Sequence, residues 1–254
     1  MKDGPPTRGS ELARNSFAHG ISPASSLPQR RGNQAFTLIE LLVVVGLIAA
    51  LSWTLAGGLP RGNRAAALES GQRTLADVLA LARTRAAASG CRARVLVNAE
   101  AGNGEEFRRR LLVQREQTLG SNTWSDPVLE VTLPAGVYLL PYRSRTPAGF
   151  FADPAAWTRF ASTEPLDSSA LYGAPLTLSV EGGTTESWDV VQFTPAGTLS
   201  FGMGDLVLAS GRRRAPAAIA AGESPVEAID PGAVRGVSLS LYGLPVLIDG
   251  REGF

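Results

Sequence analysis

From Phe36 to Ala56 the chain runs through leucine, isoleucine, valine, alanine and tryptophan with a single charge, Glu40, among them. About 20 such residues suffice for a helix to cross the hydrocarbon core of a bilayer. The preceding residues show no apolar periodicity. Lys2, Arg8, Arg14, Arg30 and Arg31 outnumber Asp3 and Glu11 there, and Pro5, Pro6 and Pro28 interrupt any regular element. Residues 1–35 therefore read as a disordered leader, with Arg30 and Arg31 holding the start of the apolar run on the cytoplasmic side. Residues 36–59 form the predicted transmembrane helix. Gly57-Gly58-Leu59-Pro60-Arg61-Gly62 follows, where proline removes a backbone donor and crowds the preceding turn, so a kink or short break is predicted. Beyond it the period changes. Leu68, Leu75, Leu79, Ala82 and Ala86 recur at helical spacing, with Glu69, Arg73, Asp77 and Arg83 largely elsewhere, which predicts an amphipathic helix over residues 60–90 that buries its stripe against a sheet and stops at Gly90.

The remainder, residues 91–254, alternates short apolar runs with turn residues. The runs predict strands at Ala93–Asn98, Phe107–Glu116, Val128–Leu133, Val137–Tyr142, Leu176–Glu181, Trp188–Thr194, Asp205–Ala209, Val234–Leu241 and Pro245–Asp249. Connections such as Ala101-Gly-Asn-Gly104 and Pro195-Ala-Gly197 are short enough for antiparallel pairing. The fold class is α+β: a long N-terminal helix, half transmembrane and half amphipathic, packed on an antiparallel β-sheet head of one sheet or two layers. Residues 143–175 and 210–233 fall outside this scheme. The first carries Phe150, Phe151, Trp157, Phe160 and Tyr172, too aromatic for a solvated linker, and either folds back over the sheet or presents a partner-binding surface.

Composition narrows the chemistry. Charge is nearly balanced, with 24 basic and 23 acidic residues, so net charge demands neither nucleic acid nor an acidic substrate. One cysteine, Cys91, cannot form an internal disulfide and reads as a small core residue. The one histidine, His19, lies in the leader, which leaves the head without a His-based metal cluster or a Ser-His-Asp arrangement. No Walker-type glycine loop and no paired cysteine motif occurs. The expectation is a protein without catalytic residues, cofactor or metal.

Glu40 decides how the apolar run is read. A carboxylate at the centre of a membrane helix costs roughly 2.5–3.5 kcal/mol on insertion scales, so it asks for a partner. A secretory signal peptide has no use for it and a shorter apolar core, though alanine-containing sites near Ala56 keep that reading open; a plain membrane anchor is the other alternative. Arg30-Arg31-Gly-Asn-Gln-Ala35 followed by Phe36-Thr-Leu-Ile-Glu40-Leu resembles the N-terminal methylation motif of type IV pilins and type II secretion pseudopilins. The resemblance implies cleavage by a prepilin peptidase between Ala35 and Phe36, methylation of the new amine on Phe36, and a single-pass protein of the bacterial inner membrane with a periplasmic head. It further implies that Glu40 meets the terminal ammonium of a neighbouring subunit and sets axial register, pairing two charges that are costly alone. The family usually has glycine before the cut, and Ala35 departs from that.

Within the family the order of features is most similar to the minor pseudopilin group known as GspH or FimT-like. The comparison rests on Leu75–Gly90, Arg94–Val97, Val191-Gln-Phe193-Thr-Pro-Ala-Gly197 and Val237–Gly243. It implies assembly rather than catalysis: a subunit of a secretion pseudopilus or type IV pilus whose partners are prepilin peptidase, other pilin-like subunits and an inner-membrane assembly platform. Gly211-Arg212-Arg213-Arg214 also resembles a short basic motif linked to DNA binding in some FimT-like proteins. A DNA-binding minor pilin for DNA uptake is therefore the alternative, with Arg212, Arg213 and Arg214 as its candidate phosphate contacts, and a solvated basic loop is the plain reading.

Overall fold

The structure is a computed structural model that describes residues 38–102, 104–179, 185–201 and 203–254, the side chains of 50–62 excepted. The leader 1–35, Ala35 and Phe36 lie outside the described residues. The chain divides into two compact units, residues 1–50 and 51–254. Helix α1 spans Leu38–Ser89 and continues through Gly57–Gly62, so of the expected kink or short break the break does not occur. A proline deletes one donor and crowds one carbonyl, which leaves the rest of the hydrogen-bond ladder able to carry the helix past it. Side chains of the predicted 36–59 span are described for residues 38–49 only, and among the described residues no helix is long and apolar enough to cross a membrane.

In the second unit α1 lies against two antiparallel sheets. The first is ordered β3-β2-β1-β6-β5, from β1 (Ala93–Asn98), β2 (Arg110–Arg115), β3 (Leu129–Thr132), β5 (Leu176–Ser179) and β6 (Thr185–Phe193). The second is ordered β10-β9-β7-β4, from β4 (Val137–Leu139), β7 (Gly204–Arg213), β9 (Val234–Leu239) and β10 (Pro245–Ile248), with β8 (Val226–Ala228) paired to the far end of β7. The mixed helix and antiparallel-sheet fold is as the sequence predicts, in its two-layer form.

The period-2 alternation explains the layering. Ala93, Val95 and Val97 of β1, Leu111 and Val113 of β2, and Val191 and Phe193 of β6 point inward to the helix, as do Leu206 and Leu208 of β7 and Val237 and Leu239 of β9. They meet Leu68, Leu75, Val78, Leu79, Ala82 and Ala86 of α1, all buried, so the whole predicted stripe is core. Gln72 falls in the same stripe and is buried too. Its amide donates to the carbonyls of Gly236 and Ile248 at 2.8 Å, tying the helix to β9 and β10. Gly90 closes the helix with φ +62°, a left-handed value that glycine adopts without strain.

Residues 143–175 fold back over the second sheet. Phe150, Trp157 and Leu166 join Tyr138, Val207 and Ala209 in a second core, while Phe160 and Tyr172 stay exposed. Because β4 is three residues long, it covers only part of the β7 edge; Ser169 Oγ and Ser168 Oγ accept from the amides of Asp205 and Val207 on the rest. The reading of 210–233 as lying outside the sheet is corrected. Residues Ser210–Arg213 continue β7, and Gly211, Arg212 and Arg213 pair with Ala228, Glu227 and Val226 of β8. Gly211 permits this: a Cβ there would lie 2.8 Å from Tyr138 Cδ2 and 3.1 Å from the Glu227 carbonyl. A polar, arginine-rich run thus becomes a strand through side-chain pairing that periodicity does not reveal.

Candidate functional site

The sequence singles out two places. The first is the start of α1. Leu38, Ile39, Leu41, Leu42, Val43, Val44, Val45, Leu47 and Ile48 are all exposed on the described part of the first unit, so the helix is apolar around its whole circumference. A helix of that kind asks to be surrounded by lipid or by other apolar helices rather than by water. Glu40 sits in its first turn. There the helix macrodipole favours a negative charge, and a carboxylate is placed to meet a cation close to the N-terminus. Ala35 and Phe36, the two residues of the predicted cleavage and methylation site, lie outside the described residues.

The second place is the basic run. Arg212 donates from Nε and Nη2 to Glu227 Oε2 at 3.0 and 2.9 Å. Arg213 pairs with Glu105 at 2.6 Å, and Arg214 with Glu223 at 2.8 Å and Glu227 at 3.6 Å. Arg214 also donates to the Gly149 carbonyl. The structure brings the three arginines together, but with three carboxylates, Glu105 from one segment and Glu223 and Glu227 from another. A phosphate would have to displace these partners. Arg212 and Arg213 are the more exposed, and Arg214 is half-buried.

Two further charge clusters lie outside the sequence-predicted sites. Asp189 on β6 is fully buried and holds Arg108 and Arg145, the latter at 3.1 Å. Arg145 reaches on to the carbonyls of Leu171 and Gly173, so one carboxylate anchors the 143–175 segment to the first sheet. Burial lowers the Arg108 pKa, opposed by the Asp189 charge and hydrogen bond. Glu116, just after β2, accepts from Arg92 and from the Asn122 amide at 3.0 Å. Its hydrogen bonds from Arg92 hold its pKa down at about 2 against the cost of burial. Arg94 stacks over Trp124 with its guanidinium 3.9 Å from the ring centroid. Burial, and then repulsion from Arg92, draw its pKa down to about 10. The sequence separations in these clusters reach 81 residues, and no local spacing signals them. Among the described residues, no group of three or more His, Cys, Asp or Glu is placed to hold a metal ion.

Among curated proteins none matches this sequence. Solved structures that resemble it include the type IV minor pilin FimU of Pseudomonas aeruginosa in two crystal forms. Each is 13% identical over 71% of this chain, with 87% and 91% of FimU covered and TM-scores of 0.36 and 0.35. Another is the minor pseudopilin EpsH of the Vibrio cholerae type 2 secretion system, 15% identical over 72% of this chain and 95% of EpsH, with a TM-score of 0.34. At the amino-terminal end, where the apolar helix and its one carboxylate lie, residues 30–56 match the family model described as the prokaryotic N-terminal methylation motif.

Proposed function

We propose that this chain is the precursor of a minor pilin or pseudopilin, a structural subunit of a type IV pilus or type II secretion pseudopilus. Prepilin peptidase cuts between Ala35 and Phe36, the new Phe36 amine is methylated, and the helix that begins there holds the subunit in the inner membrane with its head in the periplasm. Assembly then transfers the subunit from lipid into a bundle of like helices, on an inner-membrane platform supplied by other proteins. The observation that carries this reading is Glu40: one carboxylate in the first turn of a helix whose described start, Leu38–Ile48, is otherwise apolar on every side, within a segment that matches the methylation motif. Paired with the Phe36 ammonium of a neighbour, Glu40 fixes axial register, since a slip of one subunit pulls the two opposite charges apart in an apolar surrounding.

The test is expression of the full chain with and without an active prepilin peptidase, followed by mass spectrometry of the membrane-bound product. A peptidase-dependent N-terminus at methylated Phe36 is the expected result. A soluble product cut near Ala56 removes the filament role, and a chain left intact beside a co-expressed active peptidase refutes processing at Ala35. No observation favours the DNA-binding alternative, because Arg212, Arg213 and Arg214 each already face a carboxylate.

A further inference from the structure

Arginine is the dominant cation of the head, and nearly all of its guanidiniums are engaged. Among the described residues, Arg64, Arg85 and Arg115 are the arginines whose side chains make no hydrogen bond, ion pair or ring contact within the chain. Two of these three, Arg85 on α1 and Arg115 at the end of β2, line the same open cleft of ≈ 560 Å³ with Ala88, Ser89, Ser125, Asp126 and Val128. Like charges repel, so two arginines without side-chain partners lining one cleft are an arrangement the fold itself does not need.

The cleft is also built to hold its shape. One wall is α1 near its C-terminal end. The other is the loop that follows β2, and it is fastened at several points. The Ser125 amide donates to the Arg115 carbonyl at 2.9 Å, the Arg115 amide to Ser125 Oγ at 3.3 Å, and the Val128 amide to the Val113 carbonyl at 2.8 Å. Behind these, Glu116 grips the Asn122 amide and Arg92, while Trp124 lies under Arg94. A preorganised wall lowers the entropy lost when a ligand settles.

We infer that this cleft is a binding site for the carboxylate side chains of an acidic segment on a partner protein, with Arg85 and Arg115 as the two forks that receive them. Guanidinium matches a carboxylate through two parallel hydrogen bonds, which gives geometric selection as well as charge. The hydroxyls of Ser89 and Ser125 stand at the same cleft as further polar groups. A nucleic acid fits less well. A phosphate backbone needs a run of cations to follow it, whereas this cleft offers two, set beside Asp126, enough for a pair of carboxylates but not for a row of phosphates. The site is read from the head alone and stands or falls independently of whether the N-terminal segment is processed.

The experiment uses the full chain in detergent micelles and a fluorescent peptide of alternating Asp and Glu. An Asn/Gln peptide of the same length, inorganic phosphate and a single-stranded DNA oligomer serve as the other probes. The acidic peptide should bind and the Asn/Gln peptide should not, with affinity falling as salt is raised. Arg85→Ala and Arg115→Ala should each weaken binding about tenfold, the loss of one charge-assisted hydrogen-bonded pair. Arg64→Ala should leave it unchanged, since Arg64 lines other cavities. Arg85→Lys should restore charge but only part of the affinity. The inference is overturned by any of four results: no binding of the acidic peptide at millimolar concentration, equal weakening by Arg64→Ala, displacement of the peptide by equimolar phosphate, or tighter binding of the DNA oligomer through the same two arginines.

Discussion

Single residues carry long-range order in this head. Asp189 is the clearest case, because one buried carboxylate faces Arg108 and Arg145. Asp189→Ala would leave the buried Arg108 guanidinium without its carboxylate and take from Arg145 one of its partners. We expect a loss of about 3–5 kcal/mol in equilibrium denaturation of the detergent-solubilised chain, whereas Arg145→Ala, on a partly exposed partner, should cost less. Glu116 makes a prediction about pH. Its folded-state pKa of about 2 lies below its ordinary 4.5, so the folded state binds the proton less readily than the unfolded one. The stability it contributes is therefore fully present above about pH 4.5 and is lost as pH falls towards 2. Glu116→Gln should flatten the part of the denaturation midpoint's pH dependence that lies in that window; an unchanged slope would mean the Arg92 pair does not form. Neither residue announces itself in the sequence. Asp189 and Glu116 look like strand-end polar residues, and what matters about them is who arrives from elsewhere in the chain.

Elements were legible where periodicity set them and obscure where side-chain pairing did. The stripe Leu68, Leu75, Leu79, Ala82 and Ala86 and the inward positions of β1, β2 and β6 follow from helical and twofold spacing, and all are buried as that spacing requires. Gln72, in register with the stripe, could have been foreseen as a core position but not as the donor to Gly236 and Ile248. The extension of β7 and the existence of β8 could not, because Gly-Arg-Arg-Arg reads as a solvated basic loop until Glu227, Glu223 and Glu105 supply partners. Gly211 is the position on which that hairpin depends. Gly211→Ala should destabilise the protein by about 1–3 kcal/mol, since Tyr138 must shift to admit the methyl group and the Glu227 carbonyl stands close behind. Increased amide exchange confined to 211–213 and 226–228 would localise the effect, while exchange spread evenly over both sheets would place the strain elsewhere. The candidate site divides in the same way. Glu40 was legible because a lone charge in an apolar run is visible in one dimension. The cleft at Arg85 and Arg115 was not, since it is defined by the absence of partners that only the folded chain can show.

At the scale of the whole molecule, the described cores begin well after the apolar start of α1. The earliest helix residue in the main cluster is Leu68, with Ala67 packed against it, and the polar ties from α1 to the sheets begin at Gln72. The described side chains before residue 50 contribute no member to any of the three clusters. A chain beginning at Asn63 therefore keeps every core residue among those described and sheds the exposed leucines, valines and isoleucines of Leu38–Ile48, which in water have no apolar surface to cover them. Such a truncation should be soluble without detergent and should unfold in one cooperative transition, at a denaturant midpoint close to that of the head in the full chain. The helix from Asn63 to Ser89 would be held by its stripe against both sheets rather than by its own propensity, so Leu79→Ala in the truncated head should cost about 2–5 kcal/mol and melt helix and sheet together. Helix loss at a lower denaturant concentration than sheet loss would instead mean that α1 needs its apolar first half to stay folded on the head, and the division of labour between an apolar anchoring segment and an autonomous globular unit would be wrong.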